Sequence, residues 1–236
     1  MTVHFHEASQ SVTTADAAYA GLDERHAVQS GPGTFKVYRA LGKRIFDIVC
    51  VLMALPAVLP VVLIMMILVA TDGGNPFYSQ MRVGRHGKSY RMWKLRSMVQ
   101  DADAKLKDYL ESNPEAKREW DHSQKLKRDP RITRVGRFLR KCSLDELPQL
   151  WNVLRGDMSL VGPRPMMIEQ RDLYPGRDYY ALRPGITGLW QVSSRNESSF
   201  ADRARYDALY NRELSFFTDL RLIVATVGVV CRATGH

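Results

Sequence analysis

Cysteine is scarce. The 236 residues hold three, Cys50, Cys142 and Cys231, odd in number and far apart, which excludes a disulfide framework and a zinc site built on paired ligand spacing. A reducing, cytosolic setting fits that usage. Acidic residues are also short, with 25 Asp plus Glu against 34 Lys plus Arg and a net charge of +9. An anionic partner is therefore expected, whether nucleic acid, lipid headgroups or a phosphorylated substrate. No Walker A loop, GxGxxG, HExxH or GxSxG occurs, so the corresponding phosphate-loop, dinucleotide, zinc-peptidase and hydrolase chemistries have no signature here. Six histidines show no ligand spacing beyond His4 and His6. Residues 1–35 lack an apolar core and are rich in Ala, Ser, Thr, Gly and Asp, which predicts a disordered tail rather than a signal peptide. Hydrophobic content of 45% and charged content of 25% exclude both a wholly disordered chain and a multi-span membrane protein.

What is present begins with one long apolar run. Ile48 to Ala70 is 23 uncharged residues, enough for a membrane segment. Pro56 and Pro60 sit near its middle, and each removes a helical N–H donor and presses its ring on the preceding turn. Lys36, Arg39, Lys43 and Arg44 precede the run, and Arg82, Arg85, Lys88, Arg91, Lys94 and Arg96 follow it. A spanning helix normally carries its Lys/Arg excess on one side only. Two half-helices of roughly 12 residues reach about 18 Å, close to one leaflet and short of the roughly 30 Å hydrocarbon core. A re-entrant helix-break-helix is the expectation. A kinked spanning helix and a buried core helix are the alternatives. Asp47, Lys43 and Arg44 are candidates for satisfying carbonyls freed at the break.

After the turn cluster Asp72 to Pro76, segments Phe77–Val83 and Ser89–Leu95 flank Gly84 to Lys88 and predict a hairpin. Val99 to Trp120 has helical period interrupted at Asn113-Pro114, a charged surface arm. Lys125 to Lys141 holds eight basic residues and one acid. Arg131, Arg134, Arg137 and Arg140 recur at every third position, a guanidinium stripe suited to phosphate or an anionic membrane.

Ser143-Leu144-Asp145-Glu146 opens an apolar segment with the spacing of a capping box. That leaves Asp145 unexplained. A carboxylate at a helix N-terminus beside arginines has its ionised form favoured and can serve as nucleophile or metal ligand. Gly162-Pro163-Arg164-Pro165 brackets one arginine between two prolines, a way to hold a planar fork for bidentate phosphate contact. Arg183 to Val192 predicts a turn and short strand, and Phe200 to Arg232 an amphipathic helix pair whose uncharged stretch of ten residues is too short to span. Asp207 is a further candidate carboxylate, on what otherwise reads as an exposed helix face.

Lys43 to Asp47, the broken apolar run, Gln80 to Gly84, Ser143 to Leu147, Gly162 to Pro165 and Arg183 to Val192 together resemble the bacterial sugar transferases. These are the monotopic polyprenyl-phosphate hexose-1-phosphate transferases, and the likeness is greatest to the galactosyl-phosphate transferases of succinoglycan-type exopolysaccharide synthesis. The resemblance implies a re-entrant membrane helix, a cytoplasmic α/β catalytic part, a magnesium ion (Mg2+), and an Asp-Glu dyad matching Asp145 and Glu146. A UDP-sugar and a polyprenyl phosphate would be the substrates. It implies Asp145 as nucleophile and Glu146 as the metal ligand. Charge-assisted bonding separately predicts Arg164, Arg140 and Lys94 on substrate phosphates. The family usually places a small polar residue before the proline of the break, whereas Leu55 precedes Pro56 here.

The resulting expectation is an α/β protein: a tail over 1–35, a re-entrant helix over 36–72 with its break at Pro56 and Pro60, and a cytoplasmic domain over 73–236. That domain would be mostly helical, with a short hairpin and amphipathic interfacial helices. The setting is the cytoplasmic face of a bacterial inner membrane, with lipid as a partner, no nucleic acid, and a homo-oligomer left open. The competing readings are a membrane-tethered nucleic-acid-binding protein and an inert scaffold. The acids among the basic segments, Asp145, Glu146 and Asp157, argue against the former, since they would repel phosphodiester.

Overall fold

The computed structural model describes residues 37–123, 126–193 and 202–231. The tail expected over 1–35 lies outside them, as do Lys36, Lys125 and residues 200, 201 and 232 of the segments read above. Among the described residues the chain is mostly helical, with two two-stranded sheets. One helix among the described residues is long and apolar enough to cross a membrane.

That helix, α1 (Lys43–Ala70), follows a wider helical turn over Tyr38–Gly42. It runs through Pro56 and Pro60 as one element, so the expected break into two half-helices is not present as a loss of helix. Each proline forfeits only its own bond to the carbonyl four residues back, here Leu52 and Pro56, and the surrounding turns carry the helix across. Nor do Lys43, Arg44 and Asp47 turn back to those carbonyls. Lys43 Nζ bonds Asp219 Oδ2 at 2.7 Å, and Asp47 Oδ1 accepts from Ser159 Oγ at 3.1 Å and Leu160 N at 3.2 Å. Arg44 donates to the Val153 and Leu154 carbonyls in the last turn of α5 (Gln149–Arg155), where helix carbonyls lack i+4 partners.

Both ends of α1 are fastened to the same folded unit. At the start, Tyr38 and Tyr210 hydroxyls join Lys43 on Asp219, and Val51 packs with Tyr90, Met92, Val153 and Met158. At the far end Val69 packs with Leu95 and Leu139, and Arg96 bonds the Val69 carbonyl and both Asp72 oxygens. Between these ends one side of the helix is bare, with Leu52, Met53, Leu59, Leu63, Ile64, Ile67 and Leu68 exposed.

The hairpin forms as its alternation predicts: β1 (Phe77–Val83) and β2 (Ser89–Leu95) pair antiparallel with Arg82 opposite Tyr90 and Tyr78 opposite Lys94. Helices α2 (Ala102–Ser112) and α3 (Pro114–Ser123) meet at the predicted Asn113-Pro114 break. Next, α4 (Arg134–Lys141) is capped by Thr133, whose hydroxyl accepts from Gly136 N at 2.8 Å. Gly136 lets this helix touch the chain leaving β2, because a Cβ there would stand 1.9 Å from the Ser97 carbonyl oxygen.

The two glycine-proline motifs prove to be neighbours. Strand β3 (Ser159–Val161) and strand β4 (Gly185–Thr187) pair in parallel, and a Cβ on Gly162 would meet the Arg183 carbonyl oxygen at 2.2 Å. Past β4 the chain enters α7 (Leu189–Ser193) rather than continuing as strand, since Thr187 ends the pairing with Val161 and no further β3 residue remains to bond. The predicted C-terminal helix pair is α8 (Arg203–Glu213) and α9 (Phe216–Cys231).

Candidate active site

Asp145 and Glu146 lie on a tight three-residue turn, Leu144–Glu146, between α4 and α5. The expected capping box does not form. Ser143 has a left-handed backbone with φ 55° and no side-chain cap bond, and the helix proper begins only at Gln149. A positive φ is rare for a residue other than glycine, and here it reverses the chain between α4 and the turn that carries the two acids. The result is that Asp145 is only 8% exposed.

Two cations face this pair. Lys94 of β2 places Nζ 2.6 Å from Glu146 Oε1 and 3.9 Å from Asp145 Oδ2. Arg140 is aimed by a bond from its Nε to Ser97 Oγ at 2.8 Å, and its charge acts on Asp145. Burial raises the Asp145 pKa above the usual carboxylate value, with Glu146 adding to the rise while Lys94 and Arg140 oppose it. The sequence reading expected the ionised form of Asp145 to be favoured, whereas its burial opposes ionisation and only the neighbouring cations favour it.

The rest of the expected stripe does not converge here. Arg131 precedes α4 and is buried against Asp129, with Nη2 to Oδ2 at 2.7 Å and its guanidinium over Trp120. Arg134 and Arg137 face solvent. Three-residue spacing drifts around a 3.6-residue helix, so it cannot keep four side chains on one line.

Arg164 and Asp207 belong to a crevice lined also by Met166, Tyr174, Tyr179, Trp190 and Arg203. Arg164 lies 5.7 Å from the Trp190 ring centre and Arg203 lies 4.3 Å from it. Asp207 is not on an exposed face: it is 6% exposed and accepts from Tyr174 Oη at 2.8 Å. α8 packs on α6 (Asp178–Ala181), which turns Asp207 inward. Burial pushes its pKa up to about 7, against the Tyr174 hydrogen bond and the Arg203 charge.

Two positioning residues escaped the sequence reading. Asn152 is fully buried and splices α5 to β2, accepting from Trp93 N at 3.0 Å and donating to the Arg91 carbonyl at 2.8 Å. Its only signal was a lone polar residue inside an apolar helix. Ser97, which aims Arg140, had no signal at all. Among the described residues no group of three His, Cys, Asp or Glu side chains is placed to hold a metal.

Comparison with known proteins shows the family of the chain. A family model described as bacterial sugar transferase matches residues 38–233. A UDP-galactose-lipid carrier transferase of Erwinia amylovora is 48% identical over 195 residues, 82% of this chain and 41% of the relative. An undecaprenyl-phosphate galactose phosphotransferase of Salmonella typhimurium is also 48% identical over 195 residues, with 41% of its length covered. The exopolysaccharide production protein ExoY of Sinorhizobium fredii is 42% identical over 206 residues, covering 86% of this chain and 91% of the relative. The chain thus spans about two fifths of the first two relatives and nearly all of the third. With the family model running over nearly all of the described residues, this chain belongs to the bacterial sugar transferase family.

Proposed function

We propose that this chain transfers a hexose-1-phosphate from a UDP-sugar, UDP-galactose or UDP-glucose, to polyprenyl (undecaprenyl) phosphate, releasing UMP as the first step of exopolysaccharide repeat-unit assembly. The observation that carries the reading is the buried Asp145 beside Glu146 under Lys94. The names of the relatives support the lipid acceptor and the sugar donor.

In the first step an Asp145 carboxylate oxygen attacks the sugar-bearing phosphorus. The bond from that phosphorus to the UMP oxygen breaks, UMP departs with the electron pair, and an aspartyl phosphosugar remains. In the second, an oxygen of the polyprenyl phosphate attacks the same phosphorus and the acyl-phosphate bond breaks. The products are the polyprenyl diphosphosugar and the restored carboxylate. Lys94 and Arg140 balance charge on the phosphate as it reacts.

Magnesium is usually held by one or two carboxylates together with substrate phosphate oxygens, so the adjacent Asp145 and Glu146 suffice as a donor set. Glu146 would hold the ion, which would supply charge neutralisation at the phosphates.

The setting we infer is the cytoplasmic face of the bacterial inner membrane, with α1 entering and leaving on one side. Lys43 and Arg96, at opposite ends of α1, are both bonded into one domain, and a spanning helix would have to divide it. Phe217, Leu220, Val224 and Val227 form an exposed face of α9 at helical spacing, and α9 adjoins α1 through the Phe46–Phe216 ring contact at 5.3 Å. This apolar surface would lie in the interface and bring the lipid phosphate to Asp145 without its leaving the bilayer.

The test is incubation of detergent-solubilised protein with magnesium, polyprenyl phosphate and a panel of UDP-sugars, reading UMP release. Release with a hexose donor is expected. No release with any donor overturns the reading.

A further inference from the structure

Arg82 has an unusual environment. It is half-buried on β1, and its Nη2 donates to Gln80 Oε1 at 2.7 Å. Its Nε is closed off from solvent and meets no acceptor among the described residues. No carboxylate pairs with it there. Apart from burial, what acts against its charge is a second cation, Arg164. Arg164 too has no paired carboxylate among the described residues, and rests over Trp190.

The backbone ties the segments that carry the two arginines together. Val83, next to Arg82, donates from N to the Met166 carbonyl at 3.0 Å, two residues after Arg164. Tyr179 Oη fastens the same junction, donating to the Val83 carbonyl at 2.6 Å and accepting from Met166 N at 3.0 Å. Asp207, the one carboxylate of the adjoining crevice, is already engaged by Tyr174. A rigid pair of like charges, one of them with a buried donor unmet, is costly to fold unless something negative fills it. Planar forks in that arrangement match the oxygens of a phosphate.

Position on the hairpin indicates which phosphate. Arg82 pairs with Tyr90 and Tyr78 with Lys94, so Arg82 and Lys94 share one face. Four residues separate Tyr90 from Lys94, about 13 Å along the strand, a distance that two long cationic side chains bracket. We propose that Arg82 and Arg164 clamp the nucleotide-side phosphate of the nucleoside-diphosphate donor, the phosphate that leaves as the nucleoside monophosphate, while Lys94 and the dyad take the sugar-bearing one. This rests on the transferase reading above for the identity of the donor. Gln80 acts as the positioning residue for Arg82.

The test needs no turnover. Calorimetric titration with UMP and with uridine, each well below the melting temperature of the variant used, reads the phosphate contribution directly. Wild-type protein should bind UMP at least tenfold more tightly than uridine. Arg82→Gln should weaken UMP at least tenfold and leave uridine unchanged. In turnover Arg82→Gln should raise KM for the UDP-sugar and leave KM for polyprenyl phosphate within twofold. Unchanged UMP affinity overturns the clamp, and so does a rise confined to the acceptor KM, which would assign Arg82 to the lipid phosphate. Arg82→Met without ligand should melt no lower than wild type, since it removes an uncompensated charge. A much lower melting temperature with normal UMP affinity would make Arg82 structural and end the proposal. Arg82-dependent UMP binding in a protein that turns over no donor would leave the clamp standing and overturn the transferase reading alone.

Discussion

Lys94 Nζ lies 2.6 Å from Glu146 Oε1, so a β2 side chain is locked to the second acid of a dyad carried by a different element. That contact also keeps the ammonium within 3.9 Å of Asp145, where it opposes the effect of burial. Removing it should leave Asp145 harder to ionise. For Lys94→Met the acid limb of the pH profile of kcat/KM should move to higher pH, because a nucleophile with a further raised pKa is protonated over a wider acidic range. A profile of unchanged shape would argue that Lys94 acts only on the substrate.

Asp145→Asn keeps the size of the side chain and removes the nucleophile. Activity should fall on the order of 10³-fold or more, with the protein still folded by circular dichroism. With acceptor withheld, wild-type protein should carry the phosphosugar mass on Asp145, and the variant should not. UMP release that strictly requires acceptor, with no labelled protein, would favour direct transfer in a ternary complex.

Asp207 makes stability depend on pH in a direction opposite to the usual carboxylate. Its folded pKa of about 7 lies above the ordinary carboxylate value of 3.8, so the folded state holds the proton more tightly. The contribution is fully present below the unfolded value and is lost as pH rises through about 7. Asp207→Asn can still accept from Tyr174 and has no charge to bury. Its melting temperature should exceed that of the parent at pH 8 and match it near pH 4. An equal shift at both pH values would count against this linkage.

Asn152 makes the sharpest stability prediction. Replacement by Ala leaves the part-buried Trp93 N–H and Arg91 carbonyl without their partner, at about 1–3 kcal/mol for each unmet group. Denaturant unfolding should show a loss of about 2–5 kcal/mol, and Lys94, one residue beyond Trp93, should be displaced enough to lower activity as well. A loss below about 1 kcal/mol would mean that water replaces both bonds.

Topology is checked by cysteine labelling in a background with Cys50, Cys142 and Cys231 replaced. Cysteines at Ala40 and Lys88, both exposed and on opposite flanks of α1, should both resist a membrane-impermeant reagent added outside intact spheroplasts and both react after lysis. Outside labelling of one alone would show a spanning helix.

The sequence by itself determined the elements whose signal is local. Alternating side chains and a glycine turn made the hairpin at Phe77–Leu95 legible, Asn113-Pro114 marked the helix break, and a long uncharged run marked α1. The resemblance carried by several short motifs pointed to Asp145 and Glu146, and the run of basic residues to Lys94 and Arg140 as phosphate contacts. Tertiary structure decided what depends on contacts between distant segments. Whether two prolines interrupt a helix depends on what the neighbouring turns can hold, and here α1 continues. Ser143 fits a capping pattern but adopts a left-handed turn, because the short link from α4 to α5 must bring Asp145 under Lys94. Arg164 and Arg82 come from segments far apart in the chain, which the Val83–Met166 bridge brings side by side. Asp207 is inward because α8 packs on α6. Hydrophobic period reports which face an element buries, whereas the partner of a buried charge is set by the packing of whole elements, which no local pattern encodes.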